Sequence, residues 1–126
     1  MRNLIRVLIK ANSGYVINRQ RITQKARRAI RRFGLSGSIE LGIALIGNQL
    51  MARLNYQYRQ KKGPTDVLAF SLPSPKIPDK VIRLGEVVIA YPLAQKQART
   101  NKLSLDKEID NLVEHGVNHL LGIHHD

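Results

Sequence analysis

"NRQRITQKARRAIRRFGLSGSIELGIALIG", residues 18–47, changes its periodicity halfway. In the first half Ile22, Ala26, Ala29, Ile30 and Phe33 recur at helical spacing. Residues 18–34 therefore read as a helix, with Asn18 placed to cap its start and Gly34 its end. The second half, "SIELGIALIG" (38–47), reads as a strand. A strand-like run, "NLIRVLIK" (3–10), precedes the helix, so the chain opens as strand, helix, strand.

Outward from there the elements keep mixing. Asn48 starts a short helix through "QLMARLNYQYR", and "TDVLAFSL" (65–72) reads as a third strand. The segment "PSPKIPDK" (73–80) reads as a loop, because its prolines cannot donate to a ladder. A fourth strand, "LGEVVIAY" (84–91), is followed by helical "PLAQKQART" and by a last helix capped by Ser104. Asp106 and Glu108 suit the positive end of that helix. The order predicts one domain over 1–126 of the α/β (α+β) class, a small mixed four-stranded sheet packed with helices. Its last two strands are placed to form a hairpin.

Composition narrows the function. The chain has 126 residues, 21 Lys+Arg against 9 Asp+Glu, a net charge of +12 and no cysteine. Disulfides and thiolate metal sites are excluded, and a bacterial-type cytoplasmic address is expected. No apolar run approaches the length of a membrane span. Ten basic residues and no acidic one precede Glu40, whereas from residue 101 two lysines face five acids. A basic surface of this size favours a polyanion, with nucleic acid the first candidate. Opposite the apolar side of the 18–34 helix lie Arg21, Lys25, Arg28, Arg31 and Arg32, either a solvated face or an RNA contact.

The chemistry gathers at the end, in "EHGVNHLLGIHHD" (114–126), which holds all four histidines. On a helix over 105–121, Leu105, Ile109, Leu112, Val113, Gly116 and Leu120 form an apolar stripe. His115 and His119, four apart, stand one above the other beside it, the usual way to present two nitrogens to zinc. Gly122 is expected to stop the helix and let a third histidine turn back. His115, His119, Gly122 and His125 reproduce the H-x-x-x-H-x-x-G-x-x-H frame of metzincin zinc sites. Zinc peptidases of that type carry glutamate directly after the first histidine. Here Gly116 stands there, and Glu114 points about 100° away around the helix.

With these residues in place the chain resembles the YbeY family of bacterial single-strand-specific endoribonucleases and ribosomal RNA maturation factors. The family's H-G-x-x-H-L-x-G-x-D-H is matched by "HGVNHLLGIHH" (115–125). Its L-N-x-x-Y-R and P-T-D-V-L-S-F are matched within "LNYQYRQKKGPTDVLAF" (54–70), and its L-G-D-I by "LGEVVIA" (84–90). Two departures stand out: His124 replaces the family's aspartate, and Ala69 its serine.

The resemblance implies a metal site on the C-terminal helix, one zinc ion per chain held by His115, His119 and His125, other divalent ions remaining open. It implies that His115 and Arg59 serve cleavage, Arg59 being the family's motif arginine; its plain reading is a surface arginine. His124 becomes a residue beside the ligands. Asp66, with Thr65, is placed to brace a strand start, while Asn55 and Tyr58 either line the cleft or pack. Lys61 and Lys62 extend a phosphate track toward Arg28, Arg31 and Arg32. The implied partners are single-stranded RNA, ribosomal RNA matured at the 16S 3′ end and the ribosomal small subunit, with a part in ribosome quality control. Two rivals stay open: a ribosome- or RNA-binding assembly factor with a structural zinc, and a small metallopeptidase.

Overall fold

Eight elements follow in chain order: β1 (Ile5–Ala11), α1 (Arg19–Phe33), β2 (Ser38–Ile46), α2 (Asn48–Arg59), β3 (Val67–Phe70), β4 (Val81–Ala90), α3 (Tyr91–Thr100) and α4 (Leu105–His124). The structure, a computed structural model, describes residues 4–35, 37–71 and 81–124. The expected loop over 73–80 lies outside them. The sheet order is β1-β2-β4-β3. β1, β2 and β4 run parallel, and β3 pairs antiparallel with β4 as an edge strand. The mixed four-stranded sheet and its element order are those the sequence predicts.

Local chemistry explains the helix ends. Asn18 Oδ1 accepts from the Arg21 backbone N–H at 3.0 Å, and Gly34 closes α1 in the left-handed conformation. Ser104 Oγ accepts from the Lys107 N–H at 3.0 Å at the start of α4. The end of α4 differs from expectation. The helix continues through Gly122 to His124, and Gly122 is not in the left-handed region. Glycine permits that conformation without imposing it, and a further turn keeps the helical hydrogen bonds.

Two layers cover the sheet by its period-two alternation. Ile39, Leu41, Ile43, Leu45, Val87 and Ile89 face α1 and α4, meeting Ile22, Ala26 and Ile30 of one and Ile109, Val113, Val117 and Leu120 of the other. Ile46, Val88, Ala90 and Leu68 point the other way and pack with Met51 of α2. Val117 and Leu121 widen the α4 stripe beyond the sequence expectation.

Not all of α1's cations look at solvent. Arg21 grips Asp110 of α4 through Nη2 at 2.8 Å and Nε at 2.9 Å, and Lys25 meets Glu114 at 2.7 Å. The hydrogen bond and charge of Lys25 hold the Glu114 carboxyl below its ordinary range. The acids of the last helix therefore answer one edge of the basic helix, leaving Arg28, Arg31 and Arg32 exposed.

β4 begins at Val81 rather than 84, because Val81, Ile82 and Arg83 pair with Ser38, Ile39 and Glu40 before the register shifts. The shift accommodates Leu84 as a bulge beside Gly85 at φ 126°. A Cβ on Gly85 would lie 2.4 Å from the Phe70 carbonyl oxygen and 2.7 Å from Ser71 Cα. Backbone strain and a clash with backbone add, so Gly85→Ala is expected to cost about 2–5 kcal/mol. A urea titration checks it; an unchanged midpoint would contradict the assigned backbone.

Candidate active site

α2 lies on one face of the sheet and α4 on the other, and they meet around the β3 edge. There a cleft of about 220 Å³ is lined by Arg59, Val67, Leu68, Ala69, His115, Gly116 and His119. His115 and His119 lie on the same side of α4, both exposed. Arg59 is the last residue of α2, followed by Gln60 in a left-handed conformation (φ 53°) that turns the chain back toward β3. Val67, Leu68 and Ala69 form the floor. Among the described residues, no carboxylate lines the cleft.

The remaining candidates take up other positions. Asn55 is buried and donates Nδ2 to the Gly63 carbonyl at 2.9 Å, clipping the loop that follows α2. Asp66 sits between Thr65 Oγ1 (3.5 Å) and Gln97 Nε2 (3.3 Å), and its carbonyl accepts from the Ala90 N–H at 2.9 Å. It ties the start of β3 to β4 and α3. Neither lines the cleft. Lys61 and Lys62 are exposed directly after Arg59. Arg28 and Arg31 line a separate groove with Gln24 and Arg27 on α1. α1 packs against α4 and against β1, the strand at the edge of the sheet opposite β3. His125 and the side chain of His124 lie outside the described residues.

Gly116 has a role that the histidine spacing did not reveal. A Cβ there would sit 2.5 Å from Val87 Cγ1 and 2.9 Å from Cγ2, and Val87 is fully buried. The missing side chain lets α4 lie close on β4. A glutamate at 116 would be driven into the sheet, so this helix cannot carry the peptidase base at that position. Gly116→Ala is expected to destabilise by about 1–3 kcal/mol although alanine is the better helix former. Gly122→Ala, with nothing within 4 Å of its Cβ, is expected to be neutral or stabilising. Denaturant midpoints of the pair check it; a stabilised Gly116→Ala would refute the close contact.

The donor chemistry suits a divalent ion. Two imidazoles four residues apart on one helix, opening on one cleft, fit two ligands of such an ion. Among the described residues no group of three His, Asp or Glu is gathered.

Two exposed imidazoles and an arginine thus line one cleft on a small mixed α+β sheet, an arrangement that suits an anionic substrate. The particular family follows from comparison with known proteins. The family model for Endoribonuclease YbeY matches residues 8–126, and the chain belongs to the YbeY endoribonuclease family. It is 35% identical over 135 residues to an Endoribonuclease YbeY of Dehalococcoides mccartyi, covering 96% of this chain and 83% of that one. To the Endoribonuclease YbeY of Aquifex aeolicus it is 37% identical over 121 residues, covering 96% and 78%. With that of Carboxydothermus hydrogenoformans it shares 42% over 104 residues, covering 82% and 69%. In fold it is similar to a Thermotoga maritima protein solved in solution, with a TM-score of 0.58 at 24% identity, over 94% of this chain and 73% of that one.

Proposed function

We propose that this chain is a zinc-dependent endoribonuclease for single-stranded RNA, acting in the cytoplasm in ribosomal RNA maturation, at the 16S 3′ end of the small subunit, and in ribosome quality control. The observation that carries the reading is the meeting of Arg59, from one layer, with His115 and His119, from the other, in one cleft that no carboxylate lines among the described residues. A phosphodiester is attracted to such a cleft, and the net charge of +12 steers it there.

His115 and His119, with His125 as the third donor, would hold the ion as neutral imidazoles. When bound, the ion supplies Lewis-acid polarisation of a phosphate oxygen or a water of lowered pKa. Arg59 donates a pair of hydrogen bonds to the non-bridging oxygens, stabilising charge that builds there during cleavage. Lys61 and Lys62 hold neighbouring phosphates as point charges. Backbone contacts of this kind position the strand without reading its sequence.

Two observations weigh against the rivals. The contact of Gly116 with Val87 leaves no room for a peptidase base. A purely structural zinc is closed by four protein ligands, whereas both histidines here are exposed on an open cleft. Among the described residues, no helix is long and apolar enough to cross a membrane.

The test is cleavage of an end-labelled single-stranded RNA, its duplex form and casein, with and without chelator. Cleavage of the single strand alone, lost on chelation and restored by zinc, is expected. Digestion of casein, or RNA cleavage indifferent to chelator, would overturn the reading.

A further inference from the structure

Beside the cleft stands an aromatic ring that its lining does not use. Tyr58 stacks on Phe70 with ring centroids 4.9 Å apart and planes inclined by 12°. Phe70 belongs to β3, the strand that floors the cleft, and Tyr58 immediately precedes Arg59. Although one face of its ring is covered, Tyr58 remains 51% exposed. A ring stacked on one side and still half exposed presents its other face to solvent. Its orientation is fixed in advance from both ends. Phe70 holds the ring, while the turn at Gln60 and the Asn55–Gly63 hydrogen bond hold the end of α2.

We infer that the free face of Tyr58 is a stacking platform for one unpaired nucleobase of the RNA whose phosphate Arg59 holds. The inference rests on the nuclease reading above and deepens it by naming what selects a single strand. Tyr58 lies on Phe70 and Arg59 lines the cleft with Ala69, and Ala69 and Phe70 are consecutive on β3, so a π-face and a guanidinium flank the same stretch of that strand. A base can lie on the tyrosine only if it has left its own stack, so a duplex gains nothing from this contact. Stacking accepts any base, since each has a π-face, and so adds strand selectivity without sequence selectivity. Tyr56, on the same helix, is more exposed at 61%, but Tyr58 is the one stacked on the strand that floors the cleft. Tyr15 and Tyr91 are stacked on each other elsewhere, and Tyr91 donates its hydroxyl to the Val16 carbonyl.

The experiment is equilibrium binding of the full, metal-loaded chain to a short fluorescein-labelled RNA made nuclease-resistant by phosphorothioate linkages, single-stranded and duplex. Wild type is compared with Tyr58→Phe, Tyr58→Leu and Tyr58→Ala. Tyr58→Phe is expected to stay within about twofold of wild type, because it keeps the π-face. Tyr58→Ala and Tyr58→Leu are expected to weaken single-strand binding by roughly 5- to 100-fold, the usual loss for one stacked base, and to leave duplex binding unchanged. With no tryptophan in the chain, tyrosine emission reports directly. Single-stranded RNA is expected to quench it in wild type and to quench it less in Tyr58→Phe.

Three results would overturn the inference. One is equal single-strand affinity in Tyr58→Ala and wild type. Another is an equal loss for single strand and duplex. The third is rescue by Tyr58→Leu, which would mark the ring as a prop for Phe70. Binding is read without cleavage, so a chain that never cuts RNA would sink the nuclease reading and leave this result standing.

Discussion

Replacing His115 or His119 by alanine is expected to abolish bound zinc and to lower RNA cleavage by more than about 100-fold, since removing a ligand exceeds the usual loss for removing its hydrogen-bond partner. The fold should survive. Both side chains are exposed on α4, and the stripe that docks the helix consists of Ile109, Val113, Val117 and Leu120. Surface substitutions of this kind stay within roughly ±0.5 kcal/mol in metal-free protein. Three readouts separate a ligand from a bystander. Zinc content is expected to fall from one per chain to near zero. Zinc is expected to raise the melting temperature of wild type by mass action and to leave that of either variant unchanged. Cleavage is expected to fall in step with both. His125→Ala should behave alike, and full zinc content in that variant would remove it from the ligand set. Normal zinc in both His115→Ala and His119→Ala would refute the site itself.

How much of this was legible in the sequence depends on the range of the physics involved. Helix caps at Asn18 and Ser104 were readable because they act within one turn. Strand and helix order was readable because each element carries its own period. The bulge at Leu84 and Gly85 was not. It is set by pairing with β2 and by the approach of Phe70, and it hid the first three residues of β4. The partition of the basic helix was hidden for the same reason. Arg21 and Lys25 share a face with Arg28 and Arg32 on a helical wheel, and only the docking of α4 turns the first two toward acids. The His115–His119 pair was legible as a local i, i+4 relation. That Arg59 shares their cleft is a consequence of topology, because α2 and α4 cover opposite faces and both reach the cleft beside β3. Gly122 shows the converse, a residue whose local permissiveness was read as a stop that the chain does not make.

Arg59→Ala is expected to lower the cleavage rate by about 10²- to 10³-fold, the usual loss when one donor to a charged transition state is removed. Zinc content should not change, since among the described residues neither His115 nor His119 takes a hydrogen bond from the arginine. The fold should not change either. Arg59 is exposed in the last turn of α2, where its charge contributes at most a few tenths of a kcal/mol through the helix dipole. The decisive measurement is the split between kcat and KM. A group that meets charge developing on the phosphate lowers kcat and kcat/KM together, whereas one that merely attracts the backbone raises KM alone. Arg59→Lys separates charge from geometry. An ammonium restores attraction without the bidentate fork, so recovery of KM with kcat still depressed is expected. If Arg59→Ala raised KM and spared kcat, Arg59 would be one more cation of the track formed by Lys61 and Lys62. If neither parameter moved, a shared cleft would not be a shared mechanism, and the layer carrying α2 would have no part in the chemistry of α4.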